Sequence, residues 1–273
     1  MSDIVLSAGV RSNLLQLQQT SDLITQTQNR LATGKKVNSA LDNAINFFTA
    51  QGLDTRANNL NSLLDSMSNG INTIQAANNG ITSITKLVQS AQALVSQAQQ
   101  ANNTTTQAAL STQFNSLLAQ IGQLAGDSGF NGVNLLAGNT LTVTMNETAT
   151  STVSVTGVNC TNANNSPLSI ANAANNWAGA SDITAASTAL SAALTSLQSE
   201  SQTLSSSLST VQIRQDFTKA MVNTLQSGSA NLTLADSNAE GANLLALQTR
   251  QQLSSTALSL AAQADQNVLR LFR

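Results

Sequence analysis

Histidine and tyrosine are absent from the 273 residues of this chain, and it holds one cysteine, one proline and one tryptophan. Without imidazole, the commonest general base and the usual nitrogen ligand for zinc are missing, and a single thiol builds neither a Cys-rich metal site nor an internal disulfide. Catalysis, a bound cofactor and a bound metal are therefore not expected. One proline, against a usual ~5%, points to long uninterrupted helices, because proline removes a backbone donor and clashes with the preceding turn.

Charge is scarce as well. Lys and Arg number 11 and Asp and Glu 13, a net charge of −2, so the basic footprint of a nucleic-acid binder is missing. No apolar run approaches the ~20 residues that a membrane-spanning helix needs. Neither nucleic acid nor a membrane is an expected partner. What remains is 41% hydrophobic residues and about 45% Ser, Thr, Asn and Gln, the composition of a soluble chain. Its charges are unevenly placed: no Lys or Arg lies between Lys86 and Arg214, where Asp127, Glu147, Asp182 and Glu200 are the only formal charges. These four fall on different expected elements and share no spacing that pairs carboxylates for acid–base work or for a cation. All the cations lie in the outer parts, so the two ends are expected to act together. Met1-Ser2-Asp3-Ile4-Val5-Leu6 lacks a cationic stretch followed by an apolar one, and a cleavable signal peptide is not expected.

The pattern of apolar residues supplies the architecture. Val10, Leu14, Leu17, Ile24 and Leu31 follow a 4-3 spacing whose polar steps are Ser21 and Gln28, a heptad seam that predicts a first helix ending at Gly34. A connector, Val37–Ala44, leads to a second helix over about residues 45–100, roughly 80 Å of helix at 1.5 Å per residue. Leu60, Leu64, Met67, Ile71, Ile74, Asn78 and Ile81 carry its seam; two steps of three at Ile81 and Ile84 predict a phase shift, a stammer. A shorter helix with Leu110, Phe114, Leu118 and Ile121 follows the break at Asn102-Asn103-Thr104. Residues 140–145 and 151–155 alternate polar and apolar side chains, which predicts two strands joined around 146–150.

Residues 157–181, with Pro167 and Trp177, read as a loop region in which Trp177 is a packing anchor. Cys160 reads as a small residue without a role, with an intersubunit bridge as the alternative. Helical spacing returns with Leu190, Leu194, Leu197, Leu204, Leu208 and Val211, broken once at Ser201. The last segment carries two stripes, Leu253-Ala257-Leu260-Ala264-Leu271 and Leu258-Ala261-Val268-Phe272. The pattern alone favours an ordinary helical bundle within one chain over packing between chains.

Three blocks change that balance. Arg30-Leu31-Ala32-Thr33-Gly34-Lys35-Lys36-Val37-Asn38-Ser39-Ala40-Leu41-Asp42-Asn43-Ala44 stands near the start and Gly129-Phe130-Asn131-Gly132-Val133-Asn134-Leu135-Leu136 in the middle. Ala242–Leu253, leading into Val268-Leu269-Arg270-Leu271-Phe272-Arg273, closes the chain. In these blocks and their order the chain resembles a bacterial flagellin of the short alphaproteobacterial type. One departure is Ser237-Asn238-Ala239-Glu240, where many relatives carry two consecutive acidic residues after the Asn.

The resemblance implies a mainly α fold: a long antiparallel helical coiled-coil rod with paired terminal helices, a small β-hairpin and loop region, and no large outer domain. Residues 1–44 and 231–273 would form the two halves of an inner-tube domain, and 45–230 a rod domain with the strand and loop insertion at about 128–181. The implied function is self-assembly into the flagellar filament after export of the unfolded chain, the ends ordering on polymerisation. Val10, Leu14, Leu17, Ile24, Leu31, Leu253, Leu260, Val268 and Leu271 would make the subunit interface, and Arg30, Lys35, Lys36 and Asp42 polar contacts in the connector. Implied partners are further flagellin subunits, hook-associated junction and cap proteins, the export apparatus and a flagellin chaperone. A hook–filament junction protein and a secreted helical adhesin or needle-tip protein are the alternatives.

Overall fold

The computed structural model describes residues 8–165 and 167–271, with the side chains of Asp265 and 268–271 outside the described set. Among the described residues the chain is mainly α. Helices α1 (Ala8–Thr33), α2 (Ala44–Gln100) and α3 (Thr104–Asp127) precede strands β1 (Thr140–Thr144) and β2 (Thr152–Thr156); α4 (Ala180–Thr233) and α5 (Ser237–Leu271) follow. Local chemistry sets the helix ends. Gly34 takes φ +67°, the left-handed conformation that closes α1. The Asn103 side chain accepts a hydrogen bond from Thr105 N at 2.8 Å and caps α3. Asp236 Oδ1 accepts from Asn238 N and Ala239 N at the start of α5.

The chain forms two compact units, one of residues 56–223 and one that joins the two ends, up to Thr55 and from Thr224. In the first, α2 buries Met67, Ile74, Ile81, Val88 and Val95, seven apart, and a second track, Gly70, Ala77, Ile84, Ala91 and Ala98. The heptad therefore runs unbroken from Met67 to Ala98, and the stammer expected at Ile81 is not there. Gly70 and Ala77, too small to stand out beside Ile71 and Asn78 in the sequence, are the buried steps there. A methyl group on Gly70 would lie 2.6 Å from Val143 Cγ2, and one on Gly80 would meet Leu136 and Ser128. Each glycine lets a neighbouring segment come down onto the helix, which offsets its ~1 kcal/mol helix penalty.

Helix α4 keeps the same period, with Ile183, Leu190, Leu197, Leu204, Val211 and Thr218 all buried. Hydrogen bonds from Ser201 to Asn78 and from Gln215 to Ser68 show that it runs antiparallel to α2. The hairpin pairs Leu141 with Val155 and Val143 with Val153, so one face is apolar. Asn146 holds its turn by donating to Thr148 and Thr150 and accepting from Ser151 N. Arg56 Nε reaches the Glu147 carboxylate at 3.0 and 3.2 Å and ties the turn to α2. Asn134 donates to the carbonyls of Ala125 and Gly126, both at 2.8 Å, and satisfies the end of α3. Many of the abundant amides thus do for loop backbone what regular structure does elsewhere. Trp177 is fully buried with its ring 4.9 Å from that of Phe114, the packing role expected of it.

Candidate functional site

The unit made from the two ends contains the residues that sequence reasoning selected. Its α1 presents Val10, Leu17, Thr20, Ile24, Thr27 and Leu31 as buried or half-buried positions. On α5 the half-buried row is Leu244, Leu247, Gln251, Ser254, Leu258 and Ala261. With the half-buried Asn13 between Val10 and Leu17, both rows step by three and four, as two paired helices require. The polar steps of the α1 seam are thus Asn13, Thr20 and Thr27, one position before the expected Leu14, Ser21 and Gln28. Threonine is tolerated there because its hydroxyl finds a partner within the helix, Thr20 Oγ1 donating to Gln16 O at 2.8 Å.

The pairing divides the expected interface residues. Val10 and Ile24 are buried and Leu17 and Leu31 half-buried within the single chain, whereas Leu14 is at the surface. Leu253 and Leu260 are about two-thirds exposed, at 67% and 66%, and Leu245 joins them at 69%. Of the two stripes read from the sequence, the one with Leu258 and Ala261 is half-buried and the one with Leu253 and Leu260 is in solvent. The side chains of Val268 and Leu271 lie outside the described residues. Leu15 and Leu23 on α1 are exposed apolar residues that lie outside the single heptad seam of that helix.

The connector is held by backbone and by charge. Lys36 N donates to Thr233 O at 2.7 Å and Ala235 N to Gly34 O at 2.9 Å, so the segments after α1 and after α4 pair side by side. Lys35 takes part through an antiparallel bridge with Leu234, and Lys36 Nζ reaches Asn231 O at 3.4 Å. Arg30 Nη1 donates to Glu240 Oε1 at 3.2 Å, and Glu240 is largely buried. Glu240, the acidic residue that follows Asn238-Ala239, is therefore the partner of Arg30.

Asp42 is held mainly by backbone, with the Arg30 charge a smaller influence. Its Oδ2 accepts from Asn38 N at 2.9 Å and Ser39 N at 3.0 Å, and these bonds hold the carboxyl below the usual aspartate range. The locked turn carries Leu41 out into solvent, 98% exposed, ahead of exposed Ile45 and Phe48 on the first two turns of α2.

The remaining candidate residues stay apart from chemistry. Gly129–Gly132 is a turn, with Phe130 and Val133 exchanging backbone hydrogen bonds at 2.9 and 3.0 Å. No group of three or more His, Cys, Asp or Glu that could hold a metal occurs among the described residues, and no helix there is long and apolar enough to cross a membrane. Cys160 is fully buried, and burial, with the nearby Glu200 charge adding to it, pushes its thiol up to about 11. An intersubunit bridge at this thiol is closed to the folded chain.

A thiol-reactive dye at pH 8 is expected to leave the native protein unlabelled and to react fully once it is denatured. Labelling of the native fold at the denatured rate would contradict this burial. Since the folded thiol holds its proton more tightly than the unfolded one, stability from this group is complete below pH 9 and declines as pH rises toward 11.

Comparison with known proteins bears on the whole chain. Residues 8–140 match the family described as the bacterial flagellin N-terminal helical region. Flagellin FljK of Caulobacter vibrioides is 34% identical, over 100% of this chain and 99% of its own length. Flagellin FljN of the same species is 35% identical over the same shares. A flagellin of Brucella melitensis is 29% identical with both chains covered in full.

Proposed function

The chain belongs to the bacterial flagellin family, and from that membership we propose that the leucines exposed on α1 and α5 are the contacts through which one subunit seats on the next. It is a structural subunit of the bacterial flagellar filament, extracellular and self-polymerising, and not an enzyme. The observation that carries the interface reading is the row Leu245, Leu253 and Leu260. Three large apolar side chains about two-thirds in solvent lie on one helix, at spacings of eight and seven that keep them near one face. Burying each contributes ~1.5–3 kcal/mol. A filament needs contacts that do not close into a ring, hence two unlike patches on each subunit.

Leu14, Leu15 and Leu23 on α1, then Leu41, Ile45 and Phe48, and Ile213 and Phe217 on α4, supply further exposed apolar surface for such contacts. Leu41 is suited to the task because its turn is already fixed by Asp42, so little order is lost on docking. In this reading Val10, Ile24, Leu17 and Leu31 hold the terminal pair together from within. Residues 1–44 and 231–273 then form the inner-tube domain, and 45–230 the rod domain. Export of the unfolded chain through the flagellar apparatus, a chaperone for the free subunit, and hook-associated junction and cap proteins at the filament ends complete the proposal; they rest on family membership.

Electron microscopy tests the assembly step. Purified protein, dissociated by heat, cooled and seeded with filament fragments, is expected to grow into long helical filaments. Discrete closed oligomers in place of filaments would overturn the reading.

A further inference from the structure

Two polar interruptions in otherwise apolar series meet each other. In the series Leu60, Leu64, Met67, Ile71, Ile74, Asn78 and Ile81 the polar member is Asn78; in Leu190, Leu194, Leu197, Ser201, Leu204, Leu208 and Val211 it is Ser201. Ser201 Oγ donates to Asn78 Oδ1 at 3.0 Å, and Asn78 Nδ2 donates to Ser205 Oγ at 3.4 Å. One helical stretch away, Gln215 Nε2 donates to Ser68 Oγ at 2.8 Å. We infer that these paired polar stations are a register lock, which fixes the axial position of α4 against α2 where their apolar seams do not.

The seams fail to do so because they repeat. Ile183, Leu190, Leu197, Leu204 and Val211 are spaced seven apart and all buried, as are Met67, Ile74, Ile81, Val88 and Val95. Sliding one such seam by a single heptad, about 10.5 Å of helix rise, sets large apolar residues against large apolar residues again. The polar stations do not survive the slip. Seven residues either way from Ser201 stand Leu194 and Leu208, and seven either way from Gln215 stand Leu208 and Val222. Ser205 would give way to Gln198 or Gln212, which can still meet the Asn78 amide, but the Oδ1 of half-buried Asn78 would face leucine with its shorter hydrogen bond gone, and leaving that acceptor unsatisfied is more unfavourable than never having buried it. A polar residue within an apolar helix seam is known to select register at some expense of stability. The inference concerns residues 56–223 of one chain and does not depend on the filament reading.

Distances between spin labels on Lys86→Cys and Thr195→Cys test it, since both positions are exposed and the native Cys160 is buried and expected to stay unlabelled. The otherwise unaltered protein is expected to give one narrow distance. In the same labelled background, Asn78→Leu with Ser201→Leu is expected to keep its helicity and thermal stability, or gain stability, yet show a second distance population of about a tenth or more. Ser68→Leu with Gln215→Leu should do the same, and it decides the matter if the first pair fails to fold. A single unshifted distance in the folded leucine variants would overturn the lock, as would two distances in the protein that keeps its polar stations.

Discussion

A chain ending at Arg250 is expected to be a soluble subunit that no longer polymerises. The cut removes Gln251, Ser254, Leu258 and Ala261 from the row that pairs with α1, and with them Leu253 and Leu260 from the exposed row. In the proposed interface two leucines, each already about one-third buried, are lost, which weakens each addition by roughly 2–4 kcal/mol, about 10–10³ in the association constant. The unit of residues 56–223 draws none of its core from beyond Arg250, so it should fold as before. Sedimentation after seeding checks the first half of this statement. The emission of Trp177, in a chain with no tyrosine and no second tryptophan, checks the other. Filaments of normal length from the shortened chain would contradict the proposed role of α5.

Phe114→Ala is expected to have the largest effect on the stability of the central unit. Phe114 is fully buried and its ring packs on Trp177 at 4.9 Å, the contact that fastens the loop before α4 onto α3. Removing a buried phenyl ring costs about 3–5 kcal/mol, part from lost transfer and part from the cavity left behind. For a unit of this size that lowers the melting temperature by roughly 6–20 °C. Circular dichroism and the red shift of Trp177 emission should report it together. A midpoint unchanged within error would mean that the loop is anchored elsewhere, and Phe114→Leu, which keeps most of the apolar volume, should fall between the two.

The fold was legible where backbone chemistry leaves a local mark. Gly34 closes α1, Asn103 opens α3 and the alternation at 140–156 makes the hairpin, each from a few adjacent residues. The seams were legible in period but not always in phase. Thr20, Thr27, Gly70 and Ala77 are buried without being large and apolar, two because they are small and Thr20 because its hydroxyl bonds to the carbonyl one turn back. A count of apolar letters cannot see either reason.

The connector shows a different limit. Asp42, expected to make polar contacts in the connector, accepts from backbone N–H groups with the Arg30 charge nearby, while Arg30 itself hydrogen-bonds Glu240 across 210 residues of chain. Pairings of that span leave no trace in local spacing. They follow only once α1 and α5 are side by side.

The paired segments after α1 and after α4 also matter mechanically. At residues 34–43 and 234–236 both helical strands are interrupted side by side, so along that stretch no helical hydrogen bonds carry an axial pull. Load there passes through two covalent backbones and the links between them: Lys36 and Val37 N–H to Thr233 O, Ala235 N–H to Gly34 O, and Arg30 to Glu240. Hydrogen bonds that lie across two antiparallel strands are loaded in shear and share the force, instead of opening one after another. The same stretch lacks the stiffness of a helix in bending. Such a stretch is expected to resist extension while it allows flexure.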